Sequence, residues 1–177
     1  MKASHVFTLV GIAALVAGAG LWLATRPAPE PRQLDAPTID GAALYAASFR
    51  GGDGAPQSLG RFQDKWLVIN FWATWCAPCR EEMPLFSRLQ GEWSGRGVQF
   101  VGLSAEAPEL AQRFAREHAI DYPVWTGGAE VMELSRRLGN NGGVLPHTVI
   151  VAPGGKVVAA KVGAYNQSEL AAALPVR

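Results

Sequence analysis

The sequence predicts an α/β domain with a central mixed β-sheet flanked by helices. Three observations carry that reading. Two apolar runs, Trp66 to Trp72 and Val98 to Leu103, have the character of strands covered on both faces. Each run is followed by a segment with helical spacing, and strands that alternate with helices imply a parallel sheet covered on both sides. His147 to Ala152 and Lys156 to Val162 then flank Pro153-Gly154-Gly155. That turn signal predicts a hairpin, so the same sheet also gains antiparallel strands.

Taken in order, the 177 residues divide into an appendage and one domain. Residues 1–25 contain an uncharged run from Val6 to Ala24. As a helix it would rise about 28 Å, close to the roughly 30 Å core of a bilayer. Trp22 sits near its outer end, where aromatic residues favour the interface. A membrane anchor is the favoured reading, and a cleaved signal peptide is the alternative. Residues 26–37 carry Pro27, Pro29, Pro31 and Pro37 and read as an extended spacer. The domain is placed at 38–177. Leu44 to Arg50 has strand character, and with Gly51-Gly52-Asp53-Gly54 as a turn, Asp40 to Leu59 predicts a leading hairpin.

After the first buried strand, Phe86, Leu89 and Trp93 repeat at helical spacing, and Pro84 is expected to kink that helix. Pro108 suits the first turn of a second helix, with Leu110, Ala111 and Phe114 facing inward. A short strand is expected around Tyr122 to Trp125, then a helix from Glu130 to Leu138 closed by Gly139. Asn166-Gln167-Ser168-Glu169 resembles a capping box that opens a last short helix.

The formal net charge is +1 and no basic tract is present, so nothing points to nucleic acid. The chain has two cysteines, Cys76 and Cys79. A bridge between them closes too short a loop to stabilise the fold much, so reactivity explains the pair better. The pair lies between a buried strand and a helix. Unpaired amides and the dipole at a helix N-terminus favour a thiolate, which is the nucleophilic form. Cys76 is expected to be the exposed attacker, and Cys79, one turn deeper, the group that resolves a mixed disulfide. Pro78 fixes the turn between them. A zinc site needs about four ligands, and His118 and His147 lack ligand-pair spacing, so no metal is expected.

Asn70-Phe71-Trp72-Ala73-Thr74-Trp75-Cys76-Ala77-Pro78-Cys79-Arg80-Glu81-Glu82-Met83-Pro84 resembles the thioredoxin superfamily, and most of all its TlpA/ResA branch of membrane-anchored, extracytoplasmic thiol–disulfide oxidoreductases. The resemblance covers roughly residues 38 to 177 and implies a thioredoxin-like fold; the N-terminal β-hairpin extension and the N-terminal transmembrane helix read from the residues fit it. It implies a cis-proline facing the disulfide, matched by Pro146, with the Leu145 backbone available to substrate. Asn70 stands where many thioredoxins have a buried Asp that takes the proton of the deeper cysteine. The branch often has Glu at the position of Glu82, which could tune the cysteines and accept that proton. Glu106, at the end of a predicted strand, is a second acidic candidate, although an acid before a helix start is the favoured reading of it. Trp75, Ala77 and Pro78 are expected to form surface beside Cys76, while Trp72 serves equally well as core.

The resemblance implies a protein-disulfide reductase of the periplasm, of the cytochrome c maturation type or serving related metalloprotein assembly. No cofactor is expected beyond the Cys76–Cys79 disulfide. The expected partners are a protein disulfide substrate, a transmembrane thiol electron donor, and the bacterial inner membrane, spanned once with the domain in the periplasm. Signal cleavage would instead give a soluble periplasmic protein. The alternatives for activity are a disulfide oxidant or isomerase and a metal-carrying binding module. A peroxidase would need a differently placed cysteine.

Overall fold

The computed structural model describes residues 33–34 and 40–175. The expected anchor at residues 1–25 and most of the linker at 26–37 lie outside the described residues. Among the described residues no helix is long and apolar enough to cross a membrane.

One eight-stranded mixed sheet organises the domain. In chain order the strands are β1 (Gln33–Leu34), β2 (Ser48–Arg50), β3 (Pro56–Ser58), β4 (Trp66–Trp72), β5 (Val98–Ser104), β6 (Val124–Thr126), β7 (His147–Val151) and β8 (Val157–Val162). Their spatial order is β1-β8-β7-β4-β5-β6-β2-β3. β4 runs parallel to β5 and antiparallel to β7, so the central strand joins the two halves of the sheet. Among the described residues the α-helices are α1 (Gly41–Ala46), α2 (Ala77–Trp93), α3 (Pro108–Glu117), α4 (Ala129–Arg137) and α5 (Gln167–Ala173).

β4 shows why its sequence is apolar throughout. Val68 and Trp72 enter one core cluster with Met83, Phe86 and Leu89 of α2, Phe114 of α3 and Leu170 of α5. Leu67, Ile69 and Phe71 enter the other, with Leu44 of α1 and Val131 and Leu134 of α4. Alternate side chains point to opposite faces, and both faces are covered. Met83, Phe86 and Leu89 are wholly buried. Each such burial stabilises by about 1.5–3 kcal/mol, so α2 is fixed by packing at the place where it must carry the cysteines.

Two local expectations are corrected. Residues 41–46 form a helix rather than the start of a strand. Asp40 caps it, accepting from the Ala42 N–H at 2.9 Å, and the alanine-rich segment has high helix propensity. The leading hairpin is therefore only β2 with β3, and it joins the sheet through Arg50 opposite Thr126. Leu110 is exposed rather than inward; Ala111, Phe114 and Ala115 form the buried stripe of α3. α2 continues through Pro84 to Trp93 as one helix. The capping box at Asn166 and Glu169 is complete.

The turn between β7 and β8 also seats α1. Gly155 has φ of +94°, and a Cβ there would lie 2.6 Å from the Gly41 Cα. Gly155→Ala is expected to destabilise the domain by about 3 kcal/mol, from strain and backbone overlap together. Urea unfolding reads this as a lowered midpoint at unchanged slope; an unchanged midpoint would remove the contact from the stability argument.

Candidate active site

β4 ends at Trp72, and the chain turns through Ala73, Thr74 and Trp75 into α2. The Cys76 N–H donates to the Ala73 carbonyl at 3.1 Å, closing that turn. Cys76 is the N-cap of α2, and its sulfur accepts from the Cys79 N–H at 3.3 Å. The two cysteines form a disulfide with their Cα atoms 5.3 Å apart. The N–H that meets Cys76 Sγ would meet a thiolate after reduction, at the positive end of the helix dipole. Cys76 is 5% exposed and Cys79 is wholly buried. The expectation of an exposed Cys76 is thus corrected in degree: it is the more accessible sulfur, but largely covered. Trp75 stands beside it 71% exposed, whereas Trp72 is core. Ala77 and Pro78 are exposed in the first turn of α2.

Glu106 grips the turn before the cysteines. Its carboxylate accepts from the Thr74 N–H at 2.6 Å and from the Thr74 hydroxyl at 2.7 Å. Arg80 donates to the Thr74 carbonyl at 3.1 Å. Every polar group of Thr74 is therefore held, one residue from Trp75. Glu106 is not simply a helix-start acid, and α3 begins without a side-chain cap.

Glu82, three residues past Cys79 on α2, meets Asn70 of β4 in the interior. Glu82 is 4% exposed, so it is not the solvated carboxylate that a first turn usually carries. Asn70 Nδ2 donates to Glu82 Oε1 at 2.8 Å, and the Tyr165 N–H donates to Glu82 Oε2 at 2.9 Å. Asn70 Nδ2 also donates to Thr148 Oγ1 at 3.0 Å, across the pairing of β4 with β7. Burial pushes the Glu82 carboxyl up from 4.5 to about 7, against the hydrogen bonds from Tyr165 and Asn70 and the charge of Lys161. Lys161 itself is paired with Glu169 at 2.8 Å. A carboxyl held near neutrality can take or give a proton at the pH where thiol exchange runs.

The Leu145–Pro146 bond is cis. Pro146 enters β7 next to the carboxyl end of β4, on the side of the cysteine turn. Leu145 packs against both core clusters, and Val144 is 53% exposed. His147 is wholly buried, stacked on Phe71 with ring centroids 5.3 Å apart, and its Nδ1 lies 2.9 Å from Ser135 Oγ. Burial holds its imidazole down at about 4. Among the described residues no group of three or more His, Cys, Asp or Glu side chains could hold a metal ion.

The sequence singles out Cys76, Cys79, Glu82, Asn70, Leu145 and Pro146, and the fold brings these residues toward the carboxyl end of β4. The sequence does not single out Thr148, Tyr165, Ser135 and Asn140. Their contacts are isolated polar pairings between distant segments, and no periodicity announces them.

The AhpC/TSA family matches residues 36–160. The thiol-disulfide oxidoreductase ResA of Oceanobacillus iheyensis is 30% identical over 139 residues, covering 69% of this chain and 70% of that protein. ResA of Bacillus subtilis is 27% identical over 148 residues, covering 72% of this chain and 79% of that protein. For ResA of Halalkalibacterium halodurans, at 29% identity, the match spans 65% of this chain and 64% of that protein. A thioredoxin-family thiol:disulfide interchange protein from Chlorobium tepidum superposes with a TM-score of 0.61 at 28% identity, over 81% of this chain and 95% of that one. A secreted thiol-disulfide isomerase from Corynebacterium glutamicum, with a TM-score of 0.69 at 21% identity over 85% of this chain and 95% of that one, shares the fold. A strand–turn–helix carrying a buried CxxC disulfide, a cis-proline at the entry to the neighbouring strand and these relatives agree: the chain belongs to the AhpC/TSA family and is a thiol–disulfide oxidoreductase of the ResA type.

Proposed function

We propose that the chain reduces disulfides in proteins on the periplasmic side of a bacterial inner membrane, held there by residues 1–25. The observation that carries the reductive chemistry is the Cys76–Cys79 disulfide at the start of α2 with the buried Glu82 carboxyl behind it. In the reduced protein, the Cys76 thiolate attacks one sulfur of the substrate disulfide. The other substrate sulfur leaves as a thiolate and takes a proton. Cys79 gives its proton to Glu82 and attacks Cys76 Sγ, which releases the second substrate thiol. Two electrons pass to the substrate, and the enzyme disulfide forms. Trp75, Ala77 and Pro78 supply the surface on which the substrate lies, and the Leu145 backbone beside Pro146 pairs with it in an extended pose.

The substrate we favour is the haem-site cysteine pair of an apocytochrome c, which must be reduced before haem can attach. Re-reduction needs a membrane-borne dithiol, since the periplasm is kept oxidising. The test is the reduction potential of the purified protein against glutathione. A value near the thioredoxin end, about −270 mV, supports reduction; one near the DsbA end, about −120 mV, would make the protein an oxidant.

A further inference from the structure

The chain entering β7 is held by buried polar side chains that the disulfide chemistry does not use. Asn140 is 1% exposed and grips Val144 by both backbone groups. Its Nδ2 donates to the Val144 carbonyl at 2.8 Å, and its Oδ1 accepts from the Val144 N–H at 3.0 Å. One side-chain amide thus stands in for a neighbouring strand. The same Nδ2 donates to Ser135 Oγ at 2.9 Å, and Ser135 Oγ meets His147 Nδ1 at 2.9 Å. Ser135 and His147 are wholly buried. From the other side, the Gly163 N–H donates to the Pro146 carbonyl at 2.8 Å. Val144 and Pro146 are therefore fixed from two elements. The Leu145 N–H and C=O are the backbone groups of this segment that those contacts leave out.

Folding alone does not call for this arrangement. A buried polar network stabilises only when fully satisfied, and His147 Nε2 has no partner. The residue it grips by both backbone groups, Val144, is itself exposed rather than core. What such a network supplies is one fixed geometry for a short loop. We propose that Asn140, Ser135 and His147 are positioning residues, which hold residues 144–146 extended so that a substrate polypeptide pairs with the Leu145 backbone while its sulfur meets Cys76. This inference rests on the reductase reading above. The partner it defines is an extended peptide flanking a disulfide. A small disulfide, with no peptide to pair, does not feel the brace.

The experiment compares the wild-type full-length chain with Asn140→Ala in three reactions: reduction of insulin, reaction of the reduced protein with dithiobis(nitrobenzoic acid), and redox equilibrium with glutathione. The expected result is a KM for insulin raised about tenfold with kcat within about twofold, inside the roughly hundredfold that misplacement by an ångström can produce. The small-disulfide rate and the glutathione equilibrium stay within about twofold of wild type. Ser135→Ala, which keeps the grip on Val144 but cuts the link to His147, raises KM about threefold and provides the same reading if Asn140→Ala does not fold. An unchanged KM in the folded variants overturns the proposal. So does an equal loss with insulin and with the small disulfide, because that marks a general structural role. A wild-type protein that leaves insulin intact would strike the reductase reading instead.

Discussion

Cys76→Ser is expected to abolish reduction of protein disulfides, a loss of about a thousandfold or more. Cys79→Ser should behave differently. It retains the attacking sulfur at the helix N-terminus and lacks the group that resolves the adduct. Incubated with a polypeptide disulfide, it should accumulate one covalent adduct per molecule, visible on a non-reducing gel and released by a thiol. The asymmetry follows from position: Cys76 is the sulfur that solvent reaches, and Cys79 is sealed beneath it. Glu82→Gln separates a third step. Glutamine can accept hydrogen bonds in that pocket but cannot take the Cys79 proton. Resolution should slow by about a hundredfold at neutral pH, within the range of general acid–base effects, while the first attack changes little. Adducts that form on Cys79 in the Cys76→Ser protein would reverse the assigned roles. A Glu82→Gln protein that resolves at the wild-type rate would take Glu82 out of the proton transfer.

Much of this is legible in the chain itself, for identifiable reasons. The β4 run is continuous because both faces are covered, so its composition alone reports its place. The cysteines announce themselves by spacing and by lying between that strand and α2. Pro146 and Glu82 need the family resemblance, because a lone proline or a first-turn acid says little by itself. α1 escapes a reading by periodicity because Gly41-Ala42-Ala43-Leu44-Tyr45-Ala46 buries only Leu44 fully and so has no helical stripe; its cap, Asp40, is the available signal. His147 has no ligand-pair spacing in the sequence, and nothing there announces its partner Ser135, twelve residues away on α4. Tyr165 reaches Glu82 through its backbone N–H across 83 positions, a bond in which its side chain takes no part.

The two buried titrating groups make opposite demands on stability, and their windows overlap. Glu82 has its carboxyl raised from 4.5 to about 7. The folded protein holds that proton more tightly than the unfolded chain. Its contribution is intact below about pH 4.5 and is lost as pH rises through about 7. His147 has its imidazole lowered from 6.5 to about 4. The unfolded chain takes that proton first, so its contribution is intact above pH 6.5 and is lost as pH falls toward 4. Each is worth about 3 kcal/mol at about 1.4 kcal/mol per pH unit. The groups lie on opposite faces of the sheet with no shared partner, so their effects should add. In the oxidised wild-type protein they should nearly cancel between about pH 4.5 and 6.5. Glu82→Gln then leaves His147 uncovered, and stability relative to wild type should climb by about 3 kcal/mol as pH rises from 4.5 to 7. Asn70 Oδ1 has no partner, so its amide can turn to accept from the side-chain N–H that Glu82→Gln introduces, without unmaking the site. His147→Asn should give the opposite slope, with stability falling relative to wild type as pH rises from 4 to 6.5. Urea unfolding across this range measures both. Wild-type and Glu82→Gln profiles of the same shape would mean that the Glu82 carboxyl titrates as it does in the unfolded chain, and it would then hold almost no proton to exchange at neutral pH.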